Sequence, residues 1–190
     1  MQEEFLSENI EIIELGDSTS KFIEGFECAI PELENFLKED ALHQMKESVN
    51  RTFLWMSRNE RKLIGYIAIC ADAISLDKIR KEEMAKLRIH YKSLPALKIC
   101  RMGVRKGLEG KRIGTKMIAF AIRRALKINA ESACRFITVD SKNDEELPEH
   151  LKPLRFYKKT GFRELKTKEK TNTVHLFRDL ISIIKEESKR

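Results

Sequence analysis

No apolar run in this chain approaches the roughly 20 residues that a membrane-spanning helix needs. The opening residues, Met1-Gln2-Glu3-Glu4-Phe5, show no basic stretch followed by an apolar core. That argues against a secretory leader and for the cytoplasm. Cysteine is sparse. Cys28, Cys70, Cys100 and Cys134 are widely spaced and form no CxxC pair, which argues against a zinc ribbon or a disulfide framework. Three of the four sit in apolar, strand-like contexts and read as reduced, buried thiols. His43, His90, His150 and His175 form no pair or cluster in the sequence, and each reads as structural or surface. There is no metal-ligand pattern and no Ser-His-Asp arrangement. Repeats, low-complexity linkers and a domain boundary are also lacking, so the expectation is a single domain over 1–190 with a charged helix from about residue 180.

What the chain does have is charge, and it is unevenly placed. Charged residues make up 35% of the 190 and hydrophobic residues 42%, which suits a soluble globular domain with a real core. The net charge of +7 hides two opposed blocks. Residues 1–50 hold three Lys/Arg against thirteen Asp/Glu, whereas residues 78–124 hold fifteen Lys/Arg against three Glu. A basic block of this density favours an anionic partner such as a phosphorylated cofactor, RNA or an acidic protein. Taken alone it is also compatible with a solvated surface.

Hydrophobic periodicity predicts mixed α and β structure. Asn9–Leu15 alternates and reads as a strand. A helix is expected through Lys21–Glu27, and a second over Pro31–Glu47 with Leu33, Phe36, Leu37, Ala41, Leu42 and Met45 on one face. Thr52–Ser57 and Lys62–Leu76 form a hairpin around Arg58-Asn59-Glu60-Arg61. Asp77–Lys92 reads as a charged helix or excursion that Pro95 ends. Ala96–Val104 is a strand, Thr115–Asn129 an amphipathic helix and Arg135–Val139 a short strand. A polar loop over Ser141–Pro153 leads to a short helix, Leu154–Thr160, stopped by Gly161. Thr173–Leu180 is the last strand.

Four of the eight glycines, Gly103, Gly107, Gly110 and Gly114, fall within the segment Gly103–Gly114. A strand enters this segment and an amphipathic helix leaves it. Backbone N–H groups at such a helix N-terminus are arranged to hold a pyrophosphate.

The order strand, glycine-rich turn, helix, strand, then Phe156-Tyr157-Lys158-Lys159-Thr160-Gly161-Phe162 resembles the GNAT family of acetyl-CoA-dependent N-acetyltransferases. The family's phosphate loop, Gln/Arg-x-x-Gly-x-Gly/Ala, corresponds here to Glu109, Gly110, Lys111, Arg112, Ile113 and Gly114, with Thr115 following. Glu109 departs from the usual Gln/Arg and Arg112 from the middle glycine. The downstream Phe-Tyr-x-x-x-Gly-Phe is the second anchor. Further upstream, Cys28–Phe53 and Leu94-Pro95-Ala96-Leu97 are similar to the branch of the family that acts as toxins in toxin–antitoxin modules.

This resemblance implies an α/β (α+β) GNAT fold: one mixed, mostly antiparallel twisted sheet, splayed at the cofactor strand, with helices on both faces. It implies acetyl-CoA as acyl donor and places Met102, Gly103 and Val104 on the strand whose backbone bonds the pantetheine and the thioester oxygen. It also implies Tyr157 as general acid toward the sulfur, and Asn143 as a pantetheine contact. The residues themselves show no general base, since neither Glu109 nor Asp140 has supporting spacing. From the toxin branch and the basic block, the leading acceptor is the α-amine of an aminoacyl-tRNA. An antitoxin partner, a homodimer and no membrane association accompany that reading. A small-molecule or protein amine acceptor, and a non-catalytic CoA- or RNA-binding module, stand as alternatives.

Overall fold

A computed structural model describes residues 9–75, 91–142, 146–165 and 172–187. The expected excursion over Asp77–Lys92 lies almost wholly outside these residues, as do His90 and Asn143. Among the described residues, no helix is long and apolar enough to cross a membrane. No group of three or more potential ligands among them is placed to hold a metal ion.

Among the described residues, seven strands form one sheet: β1 (Ile10–Glu14), β2 (Arg51–Ser57), β3 (Lys62–Ser75), β4 (Ser93–Val104), β5 (Phe136–Lys142), β6 (Arg163–Glu164) and β7 (Thr173–Asp179). Their order is β1-β2-β3-β4-β5-β7-β6. β1 and β2, β2 and β3, β5 and β7, and β6 and β7 pair antiparallel, while β4 and β5 pair parallel. Among the described residues, two short 3-10 turns and four longer helical elements complete the fold. The first, α1, is a continuous run of α-helix Pro31–Asn35, a π-helical turn Phe36–Asp40 and α-helix Ala41–Lys46. The others are α2 (Ile113–Glu131), α3 (Pro153–Lys159) and α4 (Ile181–Glu187). The mixed, mostly antiparallel sheet is the architecture that the sequence implied.

The chain divides into two compact units, Met1–Cys70 with Cys100–Met117 and Ala71–Ile99 with Ile118–Arg190. In the first, the core gathers around Tyr66, which has no solvent exposure. Its ring stacks on Phe36 and meets Phe26 edge-on, and its hydroxyl donates to the Leu33 carbonyl at 2.6 Å. Buried Tyr hydroxyls need such a partner. From α1, Phe36, Leu37, Ala41 and Met45 are buried, as the helical spacing required, while Leu33 and Leu42 are half-buried.

In the second unit Phe136 and Phe177 meet edge-on, with Ile74, Leu94 and Ala96 around them. Arg135 grips Asp179 with two bonds, Nε to Oδ1 at 3.2 Å and Nη2 to Oδ2 at 2.8 Å. The same Asp179 accepts the Ile181 N–H at 2.9 Å and so starts α4.

Three expectations change. The segment expected as helix over Lys21–Glu27 makes only a 3-10 turn, Ser20–Ile23, because Gly25 turns the chain at φ +69°. Pro95 lies inside β4, exposed, and its carbonyl accepts the Arg135 N–H at 3.1 Å. A proline near a strand start is tolerated because only its donor is missing. Of the thiols, Cys134 alone is buried, and Cys70 and Cys100, remote in sequence, bring their sulfur atoms to 3.1 Å.

Candidate active site

The C-terminal end of β4 carries the first of the residues that the sequence singled out. The parallel ladder of β4 with β5 runs from Ala96↔Phe136 to Ile99↔Val139, and the strand then continues to Val104. Gly103 lies where the Tyr66 ring presses against the strand. A Cβ there would sit 2.7 Å from Tyr66 Cε1. A Cβ on Gly65 would meet the Gly103 carbonyl oxygen at 2.7 Å and Met117 Cε at 2.5 Å. Close backbone approach therefore fixes both glycines. Met102 and Val104 are half-buried.

Arg105, which the sequence did not single out, ends the strand and pins it. Its N–H donates to the Ile64 carbonyl at 2.9 Å, Nε to the Leu63 carbonyl and Nη1 to the Gly25 carbonyl at 2.8 Å. Its guanidinium also lies over the Phe26 ring. The next N–H, of Lys106, donates to the Glu27 carbonyl at 2.9 Å. The glycine loop thus starts from an anchored point.

Within the loop, Gly107, Gly110 and Arg112 have φ of +83°, +75° and +59°. Arg112 occupies the position where the family pattern has glycine, and it adopts the left-handed conformation a glycine would supply. Its carbonyl accepts the Lys116 N–H at 3.1 Å and opens α2. Glu109 turns back on the loop, with Oε2 accepting the Gly107 N–H at 2.7 Å. Lys111 and Thr115 are exposed, and Ile113 is buried as the apolar residue of the pattern.

Two polar atoms here have no hydrogen-bond partner although they are closed off from solvent: Glu109 Oε1 and Lys116 Nζ. An unpaired buried ammonium is costly, and an anion beside it relieves that cost. The loop backbone and Lys116 together suit a phosphorylated ligand.

α3 carries the second sequence anchor. Pro153 is pre-set for a first turn, and Gly161 at φ +88° ends the helix. This geometry places Tyr157 facing inward, 6% exposed, with Phe156 and Phe162 both edge-on to its ring at 5.3 and 5.4 Å. Burial pushes the phenol above its ordinary range, so it stays protonated through any working pH. A group in that state suits the role of acid and not of base. Lys158 is tied to Glu164 at 2.6 Å and Lys159 is exposed.

His175 has a partner that lies remote in the sequence. His175 of β7 faces Asp140 of β5 in register, with Nδ1 2.6 Å from Oδ1. Lys98 of β4 donates to Oδ2 of the same carboxylate at 2.6 Å. No spacing rule reveals this cluster, because strand pairing creates it across 42 and 35 residues of chain.

Comparison with known proteins identifies the family and the fold. The family profile of the acetyltransferase (GNAT) domain matches residues 50–164. No curated protein matches the chain in sequence. Among solved structures, the chain is similar to AtaT complexed with acetyl-methionyl-tRNAfMet: TM-score 0.75, 23% identity, 92% of this chain and 97% of that one. It is also similar to a tyrosine-to-phenylalanine mutant of KacT, with TM-score 0.74, 22% identity and coverage of 94% and 99%. A third is AtaTR bound with AcCoA, with TM-score 0.71, 21% identity and coverage of 93% and 96%. At these identities the likeness is one of fold.

Proposed function

The chain belongs to the GNAT acetyltransferases, and from that premise we propose that it acetylates the α-amine of an aminoacyl-tRNA. Acetyl-CoA is the acyl donor and supplies the activated acetyl group as its thioester. The residues that would hold its diphosphate are the backbone of Gly110–Gly114 and the Lys116 ammonium. The fit rests on Lys116 Nζ, a buried cation without an acceptor. Met102, Gly103 and Val104 offer backbone groups to the pantetheine, and one of their N–H groups would face the thioester oxygen. Such a preorganised donor contributes on the order of a few kcal/mol to the transition state. Tyr157 is assigned as the acid toward the sulfur, because its buried phenol keeps its proton.

The observation that carries the acceptor assignment is the likeness of fold, over nearly the whole chain, to AtaT in complex with an acetylated aminoacyl-tRNA. The basic block over residues 78–124 supports it, since tRNA presents a continuous anionic backbone. On this reading an antitoxin protein is the natural partner, as AtaR is for AtaT in one related structure, and a homodimer is the assembly to look for.

The test is direct. Purified protein, acetyl-CoA and total aminoacyl-tRNA should yield N-acetylated aminoacyl-adenosine after nuclease digestion, read by mass spectrometry. Binding to tRNA should weaken steeply with salt. Acetylation of polyamines, antibiotics or peptides with none on aminoacyl-tRNA would replace the acceptor and leave the acetyltransfer standing. Absence of acetyl-CoA binding by calorimetry would leave only a binding module.

A further inference from the structure

β3 and β4 are neighbours in the sheet, and one thiol from each meets the other between them. Both Cys70 and Cys100 belong to the first compact unit. Gly65 lies against Gly103 and Cys70 against Cys100, so the two strands run in opposite directions there. Cys70 shares a strand face with Tyr66 and Ala68, two members of the buried core, and Cys100 packs on that same core. The core thus holds both side chains on one face of the sheet.

Cα atoms opposite each other in antiparallel strands lie about 4.5–5.5 Å apart, inside the range of about 4.4–6.8 Å that a disulfide spans. The two sulfur atoms are 3.1 Å apart, and a disulfide joins them at about 2.0 Å. A shift of about 1 Å between the sulfur atoms closes the gap, with both strands left where they are. What the thiols give up is a weak bond, from the Cys100 S–H to the Cys70 sulfur. Both residues are half-buried, which leaves part of each open to a small reagent. Cys28 and Cys134 are less reactive. Burial pushes both of their thiols up, so both keep their protons at neutral pH.

We propose that Cys70 and Cys100 form a reversible dithiol–disulfide site whose oxidant is a low-molecular-weight disulfide. One protein thiol loses its proton, and the thiolate attacks a sulfur of the small disulfide. That S–S bond breaks, and the first small thiolate leaves and takes the proton. The second protein thiol then loses its proton and attacks the protein sulfur of the mixed disulfide. The second small thiolate leaves and takes that proton. Two protein sulfur atoms are oxidised to one disulfide, and the two sulfur atoms of the reagent are reduced to thiols. The new bond ties β3 to β4 two residues ahead of Met102. Neither acetyl-CoA nor an amine takes part, so this chemistry stands apart from the acetyltransfer.

The probe is glutathione disulfide, applied at neutral pH to the reduced full-length protein. After an alkylating quench and digestion without reductant, mass spectrometry should show one peptide pair, joined through Cys70 and Cys100. Cys28 and Cys134 should be recovered as alkylated thiols, and dithiothreitol should return the joined pair to thiols. Cys70→Ser and Cys100→Ser each leave one member of the pair, so each should stop at the glutathione mixed disulfide. That adduct should last at least about 100-fold longer than in the wild type, where a second thiol is held beside it. Wild-type protein that keeps glutathione on either residue without joining them would overturn the proposal. So would a link through Cys28 or Cys134, a link formed only between two chains, or four thiols that all stay unreacted.

Discussion

Arg112 offers a sharp test of the loop. It holds φ +59° at the position where the family pattern carries glycine. An L-residue in that conformation costs roughly 1–2 kcal/mol, which glycine does not incur. Glycine in turn gives up about 0.5–1 kcal/mol of unfolded-state entropy relative to alanine. Arg112→Gly and Arg112→Ala remove the same side-chain contacts, so comparing them isolates the backbone. The glycine variant should be the more stable by up to about 1 kcal/mol. For a chain of this size that is roughly 2–4 °C in melting temperature, read by calorimetry. If the left-handed turn is what presents the loop's N–H groups to the diphosphate, the glycine variant should also bind acetyl-CoA more tightly than the alanine variant. A 1 kcal/mol difference is about a fivefold ratio in Kd. Gly110→Ala provides a parallel, because Gly110 has φ +75° and open space around a new Cβ. It should lose stability for conformational reasons alone. Should Arg112→Ala match or exceed Arg112→Gly in both melting temperature and affinity, the left-handed turn would not be a property of the working loop.

Further outcomes follow from the same geometry. Tyr157→Phe keeps the ring between Phe156 and Phe162 and removes only the hydroxyl. Turnover should drop on the order of 10²-fold or more with acetyl-CoA affinity nearly unchanged, and equal turnover would take Tyr157 out of the acid role. Lys116→Met removes a buried, unpartnered cation, so the ligand-free protein should melt higher while acetyl-CoA binds at least about tenfold more weakly. A loss of stability in that variant would mean that the ammonium is already satisfied. Gly103→Ala drives a methyl into the Tyr66 ring, which is locked by its bond to the Leu33 carbonyl. Overpacking of this kind costs roughly 1–3 kcal/mol, and a melting temperature within a degree of wild type would refute the close contact.

The sequence was informative where structure is local. The α1 face, the glycine turn into α2 and the Pro153–Gly161 helix follow from spacing and from residues that fix their own backbone. It misled where one residue overrules a pattern. Gly25 at φ +69° reduces an apparent helix to a single 3-10 turn, although the apolar positions Phe22, Ile23 and Phe26 suggest more. Pro95 reads as a boundary, yet an early strand position needs only its carbonyl. Arg112 reads as a departure from the loop pattern, because sequence shows the missing glycine and hides the backbone angle that survives without it.

Sheet pairing explains why the contacts of Lys98, Asp140 and His175 stay hidden. A strand projects alternate residues to one face, so Phe136, Thr138 and Asp140 share a face by period alone. What lies opposite each is set by register, and a one-residue slip in β7 would move His175 to the other face and leave Asp140 with Lys98 only. That register is fixed far from the cluster, by Arg135 gripping Asp179 and by Phe136 meeting Phe177 at the other end of the same two strands. The structural core of the second unit thereby sets which residue the imidazole faces. Loosening the Arg135–Asp179 pair should disturb the His175–Asp140 contact before it disturbs the Tyr157 helix, which Arg178 holds separately through its bond to the Thr160 carbonyl at 2.7 Å.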